Sequence, residues 1–517
     1  MSARLLLAVH DVLTDVDGSP LTPEAAVTAP CGLAGLRGAF ALAWRDDDGH
    51  LHLARDALGH RSLYWGFDAS GYPVFGPRLH DVLAQGASRA LNPVALATYL
   101  ATAYVPGTAT LAAGVEAVPA GAELVFGHAP RSSPEVRPFW RLPPSTPASQ
   151  SDDALRDRLR SALEATVTRL LPDDPTLGCS LSGGVDSSLV AALLRRLGDR
   201  PLRAFSITFG PPHRDELAFS GLVARNLRAE HVPLTVTEAD VRARFDATVA
   251  ALSEPNGDPL TVPNAMIFKA AREAGHTALF NGEGGDPTFG GPKNAPLLLS
   301  ELYGDEADGP LARERAYLMA HQRLWGDLDQ ALAPEVRAAI TDGAVEGLVT
   351  PWLDDARWPS FLDRLMAMNI DWKGPQHILP KVEHLGLAAG VRPRSPLFDR
   401  DLVAHSFRIP ARLKRAGATE KFLLKESVRD LLPEAIIERP KSGMLVPVEA
   451  WFSGPLQGWA RERLLDGLAP RGLFRRDFLE RLASGEVRGL RPRRGIRIWL
   501  LLTLESWLRQ VLDGGRS

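Results

Sequence analysis

The sequence predicts an α/β protein with two domains. The chain has 517 residues, which is more than one ordinary hydrophobic core accommodates. Beyond the first third, short apolar runs that fit buried strands alternate with helical patterns, and this alternation is typical of a parallel sheet covered by helices. The first third shows short alternating strands instead. We therefore expect a β-rich N-terminal domain and a second α/β domain that binds ligands at the carboxyl ends of its strands.

Composition excludes several classes of protein. The chain is 45% hydrophobic and 23% charged, as in a soluble globular enzyme. Its net charge of −3 argues against a nucleic-acid partner held by phosphate contacts. No stretch approaches the ~20 apolar residues of a membrane span. The cysteines, Cys31 and Cys179, support neither a disulfide framework nor a zinc site. We expect a cytoplasmic protein with no nucleic-acid or membrane partner.

Local patterns suggest where the first domain ends. Apolar residues alternate along 40–44 and again along 51–53, on either side of an Asp- and Gly-rich turn, which predicts a β-hairpin. From about 129 to 153 the chain is rich in proline and serine, as interdomain linkers often are. The expected domains are therefore 1–140 and 150–517.

Residues 180–188, Ser-Leu-Ser-Gly-Gly-Val-Asp-Ser-Ser, carry the strongest functional signal. A strand-like run ends in two glycines, and apolar residues at helical spacing follow. Gly183 and Gly184 let backbone N–H groups approach a phosphate, and the N-terminus of the helix behind them favours negative charge. Asp186 can hold Mg²⁺, and the spacing is not that of a Walker A motif. Hydroxyl groups can donate to phosphate oxygens, and the expected phosphate-side serines are Ser180, Ser182, Ser187 and Ser188.

A second glycine-rich turn follows the apolar run at 278–280 and reads Asn-Gly-Glu-Gly-Gly-Asp. On its own, such a turn is more often an ordinary loop. If it ends a strand of the same sheet, however, Asp286 meets Asp186 across one nucleotide site. We expect the two carboxylates to coordinate one Mg²⁺ ion that is also coordinated by phosphate oxygens.

Two lysines are candidate cations for the reaction. Lys441 lies in a turn-rich segment, 439–443, that can present it at a fixed place. An ammonium group near the α-phosphate or the acyl carbon would stabilise charge that develops there. A lone lysine is more often a solvated surface charge, so support for Lys441 and for Lys421 comes only from the family resemblance.

The Ser-Gly-Gly-Val-Asp-Ser-Ser segment resembles the pyrophosphate loop of ATP pyrophosphatases, which cleave ATP between the α- and β-phosphates. Over nearly the whole chain, further segments follow the order of the asparagine synthetase superfamily; they are residues 55–64, 182–188, 205–207, 215–216, 282–286, 394–399 and Lys441. The resemblance implies a degenerate Ntn-type glutamine amidotransferase-like α/β/β/α domain, followed by an ATP pyrophosphatase domain with a parallel sheet and a helical extension.

The same resemblance assigns roles to individual residues. It implies that ATP and Mg²⁺ are required, with Asp186 and Asp286 as the metal ligands. It also implies that Ile207 and Gly282 flank the adenine and that Lys421 binds the nucleotide. The catalytic residues that it implies are Lys441 and Glu283.

Departures from the family pattern bear on the substrate. Glutamine-hydrolysing members use a cysteine directly after the initiator methionine as nucleophile, whereas this sequence has Ser2. We therefore expect no release of ammonia from glutamine. Where asparagine synthetases hold aspartate, this chain has Asp286-Pro287 and Arg392-Pro393-Arg394 in place of the family's Asp-Glu and Glu-x-Arg. The amino acid pocket is therefore expected to differ.

Superfamily members without the nucleophilic cysteine include β-lactam synthetases and lasso peptide cyclases. Both activate a carboxylate as an acyl-adenylate and let an internal amine attack it. The tyrosine that β-lactam synthetases use aligns with Glu283, whereas residues 372–377 and 390–394 are more similar to lasso peptide cyclases. The resemblance thus implies a cyclase that joins an Asp or Glu side chain of a precursor (core) peptide to the peptide's N-terminal amine.

The expected partners of such a cyclase are the precursor peptide, a leader-binding protein and a leader peptidase. Three alternatives stay open at this point. Two are enzymes, namely an ammonia-dependent asparagine synthetase and a β-lactam synthetase-type ligase. The third is a non-catalytic nucleotide-binding protein, against which the intact Asp186, Asp286 and Lys441 argue.

Overall fold

A computed structural model describes residues 4–213, 216–291, 309–439, 443–485 and 493–514. Strands in the first 138 residues form two antiparallel sheets, and later strands form a parallel sheet and a small hairpin. The predicted α/β class, with a β-rich first part and a helix-covered parallel sheet behind it, is confirmed.

The N-terminal sheets have five and three strands. The larger runs in the order β1–β2–β3–β7–β8 and the smaller in the order β5–β4–β6. Their strands are β1 (Arg4–Thr14), β2 (Arg37–Arg45), β3 (Leu51–Arg55), β4 (Tyr64–Phe67), β5 (Pro73–Gly76), β6 (Val115–Ala117), β7 (Ala122–Phe126) and β8 (Glu135–Pro138). Four short helices accompany them, α1 (Pro23–Thr28), α2 (Gly32–Gly35), α3 (Leu79–Ala84) and α4 (Pro93–Thr102).

Strand alternation explains why these elements stack in four layers. Along β2, Phe40, Leu42 and Trp44 pack with α1 on one face, while Ala41 and Ala43 pack on the other face against residues of the smaller sheet. Successive side chains of a strand point to opposite faces, so both faces of the larger sheet are buried. The layers are helix, sheet, sheet and helix, which confirms the α/β/β/α arrangement.

The predicted linker over 129–153 is partly wrong. Residues Glu135–Pro138 form β8, which pairs with β7 at the edge of the N-terminal sheet. Farther on, Ser145 N donates to Arg357 O (2.9 Å) and Ala148 N to Arg408 O (3.0 Å), so the chain then follows the surface of the second part. Proline and serine mark edge strands and bound extended segments as well as free linkers. The bounds 1–140 and 150–517 stay predictions.

The parallel sheet has the order β11–β10–β9–β12–β13. Its strands are β9 (Leu177–Ser180), β10 (Leu202–Thr208), β11 (Glu230–Thr235), β12 (Ala278–Phe280) and β13 (Arg392–Arg394). Helix α5 (Asp152–Arg169) precedes β9, and the helices that follow it before β13 include α6 (Val185–Leu197), α7 (Leu217–Asn226), α8 (Glu238–Ala251), α9 (Thr261–Glu273) and α10 (Gly285–Phe289). Ala204 packs in the core that contains α5 and α6, while Phe205 and Ile207 pack in the core of α8 and α9. Helices thus cover both faces.

The remaining described residues are mainly helical, as predicted. Helices span Ala312–Ala320, Leu328–Ala331, Pro334–Ala338, Thr350–Leu353, Phe361–Met368, Leu379–Ala388, Arg400–Ser406, Ala411–Lys414, Phe422–Ser427, Glu434–Ile437, Val448–Phe452, Gln457–Glu462, Arg476–Ser484 and Arg494–Trp507. Short 3₁₀ turns span Trp325–Asp327, Glu346–Leu348, Pro396–Phe398 and Ala469–Arg471, and π-helical segments span Asn369–Ile378, Arg463–Leu468 and Leu508–Leu512. A hairpin pairs β14 (Arg415–Ala416) with β15 (Thr419–Glu420).

One of these helices is central to the site. The π-helical segment Asn369–Ile378 continues directly into the helix Leu379–Ala388, and we refer to residues 369–388 as the pocket helix. None of the helices in the described ranges is both long and apolar enough to span a membrane.

Candidate functional site

A cavity of about 250 Å³ lies at the carboxyl ends of β9, β10 and β12. This is the edge at which open parallel sheets bind ligands. Most of the residues predicted for the site line it, namely Ser180, Ser182, Gly184, Asp186, Ser187, Ile207, Gly282, Glu283 and Asp286. Both glycine-rich turns therefore contribute to one cavity, as the sequence predicted.

The first glycine-rich turn is built to hold an anion. Gly183 has a φ of +78°, and a Cβ there would lie 2.6 Å from Ser220 N, so only glycine fits. Ser187 Oγ accepts from Ser182 N (3.1 Å) and lies 3.0 Å from Ser182 Oγ. Helix α6 starts at Val185 with no side-chain cap. Its positive end lies at the cavity beside two hydroxyl groups, a combination that suits a phosphate group.

The two turns touch through their backbones. A Cβ on Gly282 would lie 2.6 Å from Ser187 N, and one on Gly285 would lie 2.3 Å from Asp186 Oδ1. Ser187 N is a backbone atom, so glycine is required at position 282, whereas a Cβ at position 285 would displace the Asp186 side chain. The close approach brings the second turn against the start of α6.

Asp186 and Asp286 meet at a single lysine. The Lys421 ammonium lies 2.6 Å from Asp186 Oδ2 and 2.5 Å from Asp286 Oδ1, and the lysine is only 1% exposed. Because both carboxylates reach one nitrogen atom, their oxygens lie close enough to share a cation. The three side chains together carry a net negative charge. Hard oxygen donors with excess negative charge fit a Mg²⁺ ion that completes its shell with water and phosphate oxygens.

Some predicted residues lie elsewhere. Ser188 is fully buried in α6, does not line the cavity, and its hydroxyl finds no hydrogen-bond partner among the described residues. A direct phosphate contact from Ser188 is therefore wrong. Gly183 packs on Ser220 and shapes the turn without lining the cavity. Lys421 is also not a lining residue, and its contacts are with the two carboxylates.

Lys441 lies outside the described residues, as does Asp215 of the family-order segments. The residues that flank the Lys441 segment are described. Arg439 forms an ion pair with Glu216 and donates to Gly183 O (3.3 Å), and Gly443 and Met444 line the cavity.

Sequence reasoning missed a buried ion pair on the cavity wall formed by the pocket helix. Lys381 Nζ lies 2.8 Å from Asp258 Oδ2 and 3.7 Å from Glu283 Oε1. Burial opposes the charged form of Lys381, but the charges of Asp258 and Glu283 outweigh it and hold the lysine's pKa above its usual value. Burial likewise opposes the charged form of Asp258, and Lys381 reverses the effect, so the Asp258 pKa lies below its usual value. Both groups are therefore charged at neutral pH.

A spacing signal could have revealed this wall. Asn369, Lys373, His377 and Lys381 recur at every fourth position and all line the cavity. Such spacing places side chains on one helix face. The π-helical turns carry three of the four, and π-helical turns are frequent at functional sites. We call the set formed by Asp258, Lys373, His377 and Lys381 the acceptor wall.

The site thus has two chemically different sides. Hydroxyl groups, a helix N-terminus and the Asp186–Asp286 pair form a phosphate side. The acceptor wall supplies the Lys381–Asp258 ion pair and further basic side chains. Glu283 belongs to the same turn as Asp286 and lies 3.7 Å from Lys381, so it joins the two sides.

This fold and site define a nucleotide-dependent α/β enzyme that carries an additional N-terminal domain of two stacked sheets. Comparison with protein-family models finds the asparagine synthase family over residues 158–509 and the glutamine amidotransferase domain over residues 25–140. The chain belongs to the asparagine synthase family. It is accordingly an ATP-dependent carbon–nitrogen ligase that forms AMP.

Relatives cover most of the chain at low identity. A putative glutamine-hydrolysing asparagine synthetase of Mycobacterium tuberculosis is 27% identical in an alignment of length 458 that covers 82% of this chain and 69% of the relative. Asparagine synthetase 1 of Bacillus subtilis, also named as glutamine-hydrolysing, is 22% identical in an alignment of length 496 that covers 91% of this chain and 77% of the relative. Among solved structures, an NH₃-dependent NAD synthetase of Campylobacter jejuni is 15% identical and has a TM-score of 0.19, covering 31% of this chain and 65% of that one; this likeness carries no conclusion.

Proposed function

We propose that this protein is a lasso peptide cyclase. It would adenylate an Asp or Glu side-chain carboxylate of a core peptide with ATP and close an isopeptide macrolactam with the peptide's N-terminal amine. The observation that carries the proposal is Pro287, which lines the cavity directly after Asp286. Asparagine synthetases of the family have a glutamate residue at this position, which lies where they bind the substrate aspartate. A proline side chain offers no polar atom to such a substrate. The resemblance of residues 372–377 and 390–394 to lasso peptide cyclases also supports it.

On the phosphate side, the contacts support the following roles. Ser182, Ser187 and the N-terminus of α6 would hold the β- and γ-phosphates that leave as pyrophosphate. Asp186 and Asp286 would hold Mg²⁺, which would neutralise phosphate charge during the transfer. Lys421 fixes both carboxylates in place. Ile207 and Gly282 line the cavity where the resemblance places the adenine.

The first half-reaction forms the acyl-adenylate. An oxygen of the peptide carboxylate attacks the α-phosphorus, a new O–P bond forms, and the bond from the α-phosphorus to the bridging oxygen breaks. Pyrophosphate leaves with that oxygen. Lys441, by its family position, would stabilise the negative charge that develops on the α-phosphate.

The second half-reaction forms the amide. The N-terminal amine attacks the acyl carbon, a C–N bond forms, the C–O bond to AMP breaks, and the amine loses a proton. Glu283 is the carboxylate that joins the two sides, so it would accept this proton. Lys381, fixed by Asp258, lies 3.7 Å from Glu283 Oε1 and would hold this carboxylate in position. Binding both ends of one peptide makes the attack intramolecular, which lowers its entropic cost.

The partners follow from the substrate. The core peptide must reach the cavity with its amine free, so a leader peptidase would act first. A leader-binding protein would deliver the precursor. Both partners stay proposals that binding measurements with purified components can test.

The test is a reconstitution with three substrate arms. The protein is incubated with ATP, Mg²⁺ and a synthetic core peptide encoded by a short reading frame beside the gene, or with aspartate and ammonium, or with aspartate and glutamine. We expect AMP, pyrophosphate and a peptide lighter by one water in the first arm only. Asparagine formation in the second arm, with the peptide unchanged, would instead identify an ammonia-dependent asparagine synthetase.

The asparagine synthetase alternative has one specific observation in its favour. Two relatives that cover more than four fifths of the chain carry that name. The glutamine arm separates it further, because release of glutamate at the rate of AMP formation would show a working amidotransferase domain. A β-lactam synthetase-type ligase is less favoured, since Glu283 stands where those enzymes have a tyrosine.

A further inference from the structure

The N-terminal domain holds the pocket helix by buried polar contacts. Ser62 N donates to Glu383 Oε1 (3.0 Å), and Ser62 Oγ donates to Glu383 Oε2 (2.7 Å). Arg55, which is 1% exposed, donates through Nη2 to Pro375 O (2.9 Å). Both donors belong to the 55–64 segment that resembles the amidotransferase motif. Glu383 lies two residues after Lys381 in the same helix, so the contact with Ser62 fixes the part of the helix that carries the lysine.

The same domain holds the loop that carries Asp258. Leu79 N donates to Ser253 Oγ (3.2 Å), and Gly257 N donates to Ala103 O (2.9 Å). A Cβ on Gly257 would lie 2.8 Å from Ala103 Cβ, so this loop is in close contact with the end of α4. Asp258 follows Gly257 directly and is therefore anchored from the N-terminal side.

Two hydrogen bonds join the held segments to each other. Ser253 N donates to His384 Nδ1 (3.3 Å), and Asn256 Nδ2 donates to His377 O (2.9 Å). Burial and the nearby charge of Arg55 lower the pKa of His384 to about 3. The imidazole is therefore neutral, and its Nδ1 can accept. The 253–258 loop and the pocket helix thus form one hydrogen-bonded unit, and each of the two is also hydrogen-bonded to the N-terminal domain.

We propose that the N-terminal domain positions the acceptor wall and that Ser62 is the positioning residue through which it fixes Lys381 against Asp258. The domain would thus serve the amide-forming step without catalysing glutamine hydrolysis. The positioning itself does not depend on which amide is made, and only its link to peptide cyclisation rests on the proposed function.

The contacts favour the acceptor wall over the phosphate side. Ser62, Arg55, Leu79 and Ala103 contact the pocket helix and the 253–258 loop, whereas the Ser182 turn is held by Ser220 and Arg439 from its own domain. Loss of the Ser62 hydroxyl would therefore loosen one wall of the cavity and leave the other in place.

The test compares Ser62→Ala with Ser406→Ala. Ser406 is equally buried, but its hydroxyl donates to Val403 O within its own helix. Amide hydrogen exchange of residues 369–388 is measured beside binding of the Mg²⁺ complex of α,β-methylene-ATP. We expect Ser62→Ala to speed exchange there by roughly tenfold, the scale that loss of one buried hydrogen bond sets. Nucleotide affinity and exchange in residues 180–188 should stay as in the wild type.

Activity measurements complete the test. With the core peptide, Ser62→Ala should slow macrolactam formation more than AMP formation, because the adenylate then hydrolyses before the amine attacks. If Ser62→Ala matches Ser406→Ala in exchange, or loosens residues 180–188 to the same degree, the proposal is wrong. Should Ser62→Ala not fold, Glu383→Met, which removes both acceptor oxygens, is measured in the same way, with the same outcomes deciding. A wild-type protein that leaves the peptide unchanged refutes the cyclase function, whereas the exchange result still decides the positioning role.

Discussion

At the scale of single residues, the site depends on two buried lysines and the carboxylates that surround them. Asp186 and Asp286 share the Lys421 ammonium, and Asp258 and Glu283 flank Lys381. Each cluster holds more carboxylates than ammonium groups. A buried carboxylate that loses its partner costs several kcal/mol, so the clusters constrain geometry as well as charge.

Asp186→Asn should separate metal binding from folding. The substitution keeps the side-chain shape and removes one charge of the carboxylate pair. We expect AMP formation to fall by roughly 10³-fold, because a bound metal ion contributes several kcal/mol to stabilisation of the transition state. The Mg²⁺ concentration for half-maximal activity should rise as well. Asp153→Asn, at an exposed position on α5, is the control, and an unchanged Mg²⁺ dependence in Asp186→Asn would remove Asp186 from the metal site.

Lys381→Met should cost stability in a pH-dependent way. The Asp258 pKa is depressed by Lys381, so the stability that this pair supplies is present above the carboxyl's ordinary pKa and is lost as the pH falls towards the depressed one. In Lys381→Met, the half-buried Asp258 carboxylate loses its ion pair at neutral pH and keeps the hydrogen bond from Leu260 N (3.0 Å). We expect a loss of about 3 kcal/mol at pH 7 that shrinks in acid, where Asp258 takes up a proton.

Urea unfolding at several pH values measures this effect. The double variant Asp258→Asn/Lys381→Met removes both charges and should recover much of the lost stability. A loss in Lys381→Met that is the same at every pH, or that the double variant does not relieve, would show that the ion pair is not its source.

At the scale of elements, the site forms where two glycine-rich turns and the pocket helix converge. The second turn lies so close to the start of α6 that Gly282 tolerates no Cβ, which would lie 2.6 Å from Ser187 N. Edge strands complete the sheet, and both contain a proline, Pro233 in β11 and Pro393 in β13. Proline is tolerated at sheet edges, where one side of the strand needs no ladder hydrogen bonds.

Gly282→Ala tests the contact between the turns. Its Cβ would lie 2.6 Å from Ser187 N, so the second turn must move away from α6. Overpacking of this kind costs about 1–3 kcal/mol, and we expect affinity for the Mg²⁺ complex of ATP to fall by roughly tenfold or more. Gly458→Ala is the control, because a Cβ there meets nothing within 4 Å. Equal affinity in the two variants would show that the turn does not shape the nucleotide site.

At the scale of the whole molecule, the two parts are joined through buried polar groups as well as apolar ones. The ion pair between Arg394 and Asp11 is buried and bidentate, with N–O distances of 3.0 and 3.1 Å. Arg55 and Ser62 reach the pocket helix from the other domain. Buried polar groups of this kind require fixed geometry, so the relative placement of the two parts is part of the site.

Much of this architecture could be predicted from local sequence, and the rest could not for physical reasons. The strands β9, β10 and β12 are apolar runs, and the two glycine-rich turns follow β9 and β12, so their meeting follows from the topology of a parallel sheet. The edge strands β11 and β13 contain prolines that argue against a strand in isolation. β8 lies in a Pro- and Ser-rich stretch, and its pairing with β7 depends on tertiary context.

The acceptor wall shows the same limit for the site. Lys381 and Asp258 are 123 residues apart, and nothing local to either residue shows that they pair. The four-residue spacing from Asn369 to Lys381 was available, but a polar stripe on a helix usually faces solvent. Ser188 shows the reverse error, because a hydroxyl in the motif suggests a phosphate contact that the turn of α6 directs into the core.

The central claim is that a peptide carboxylate is activated as an acyl-adenylate, which the N-terminal amine of the same peptide then attacks. The most direct test labels both oxygens of the Asp or Glu side chain in the core peptide with oxygen-18 and analyses the products by mass spectrometry. Our account predicts one labelled oxygen in AMP, none in pyrophosphate and one in the macrolactam carbonyl. Unlabelled AMP together with label in inorganic phosphate, or formation of ADP, would contradict it.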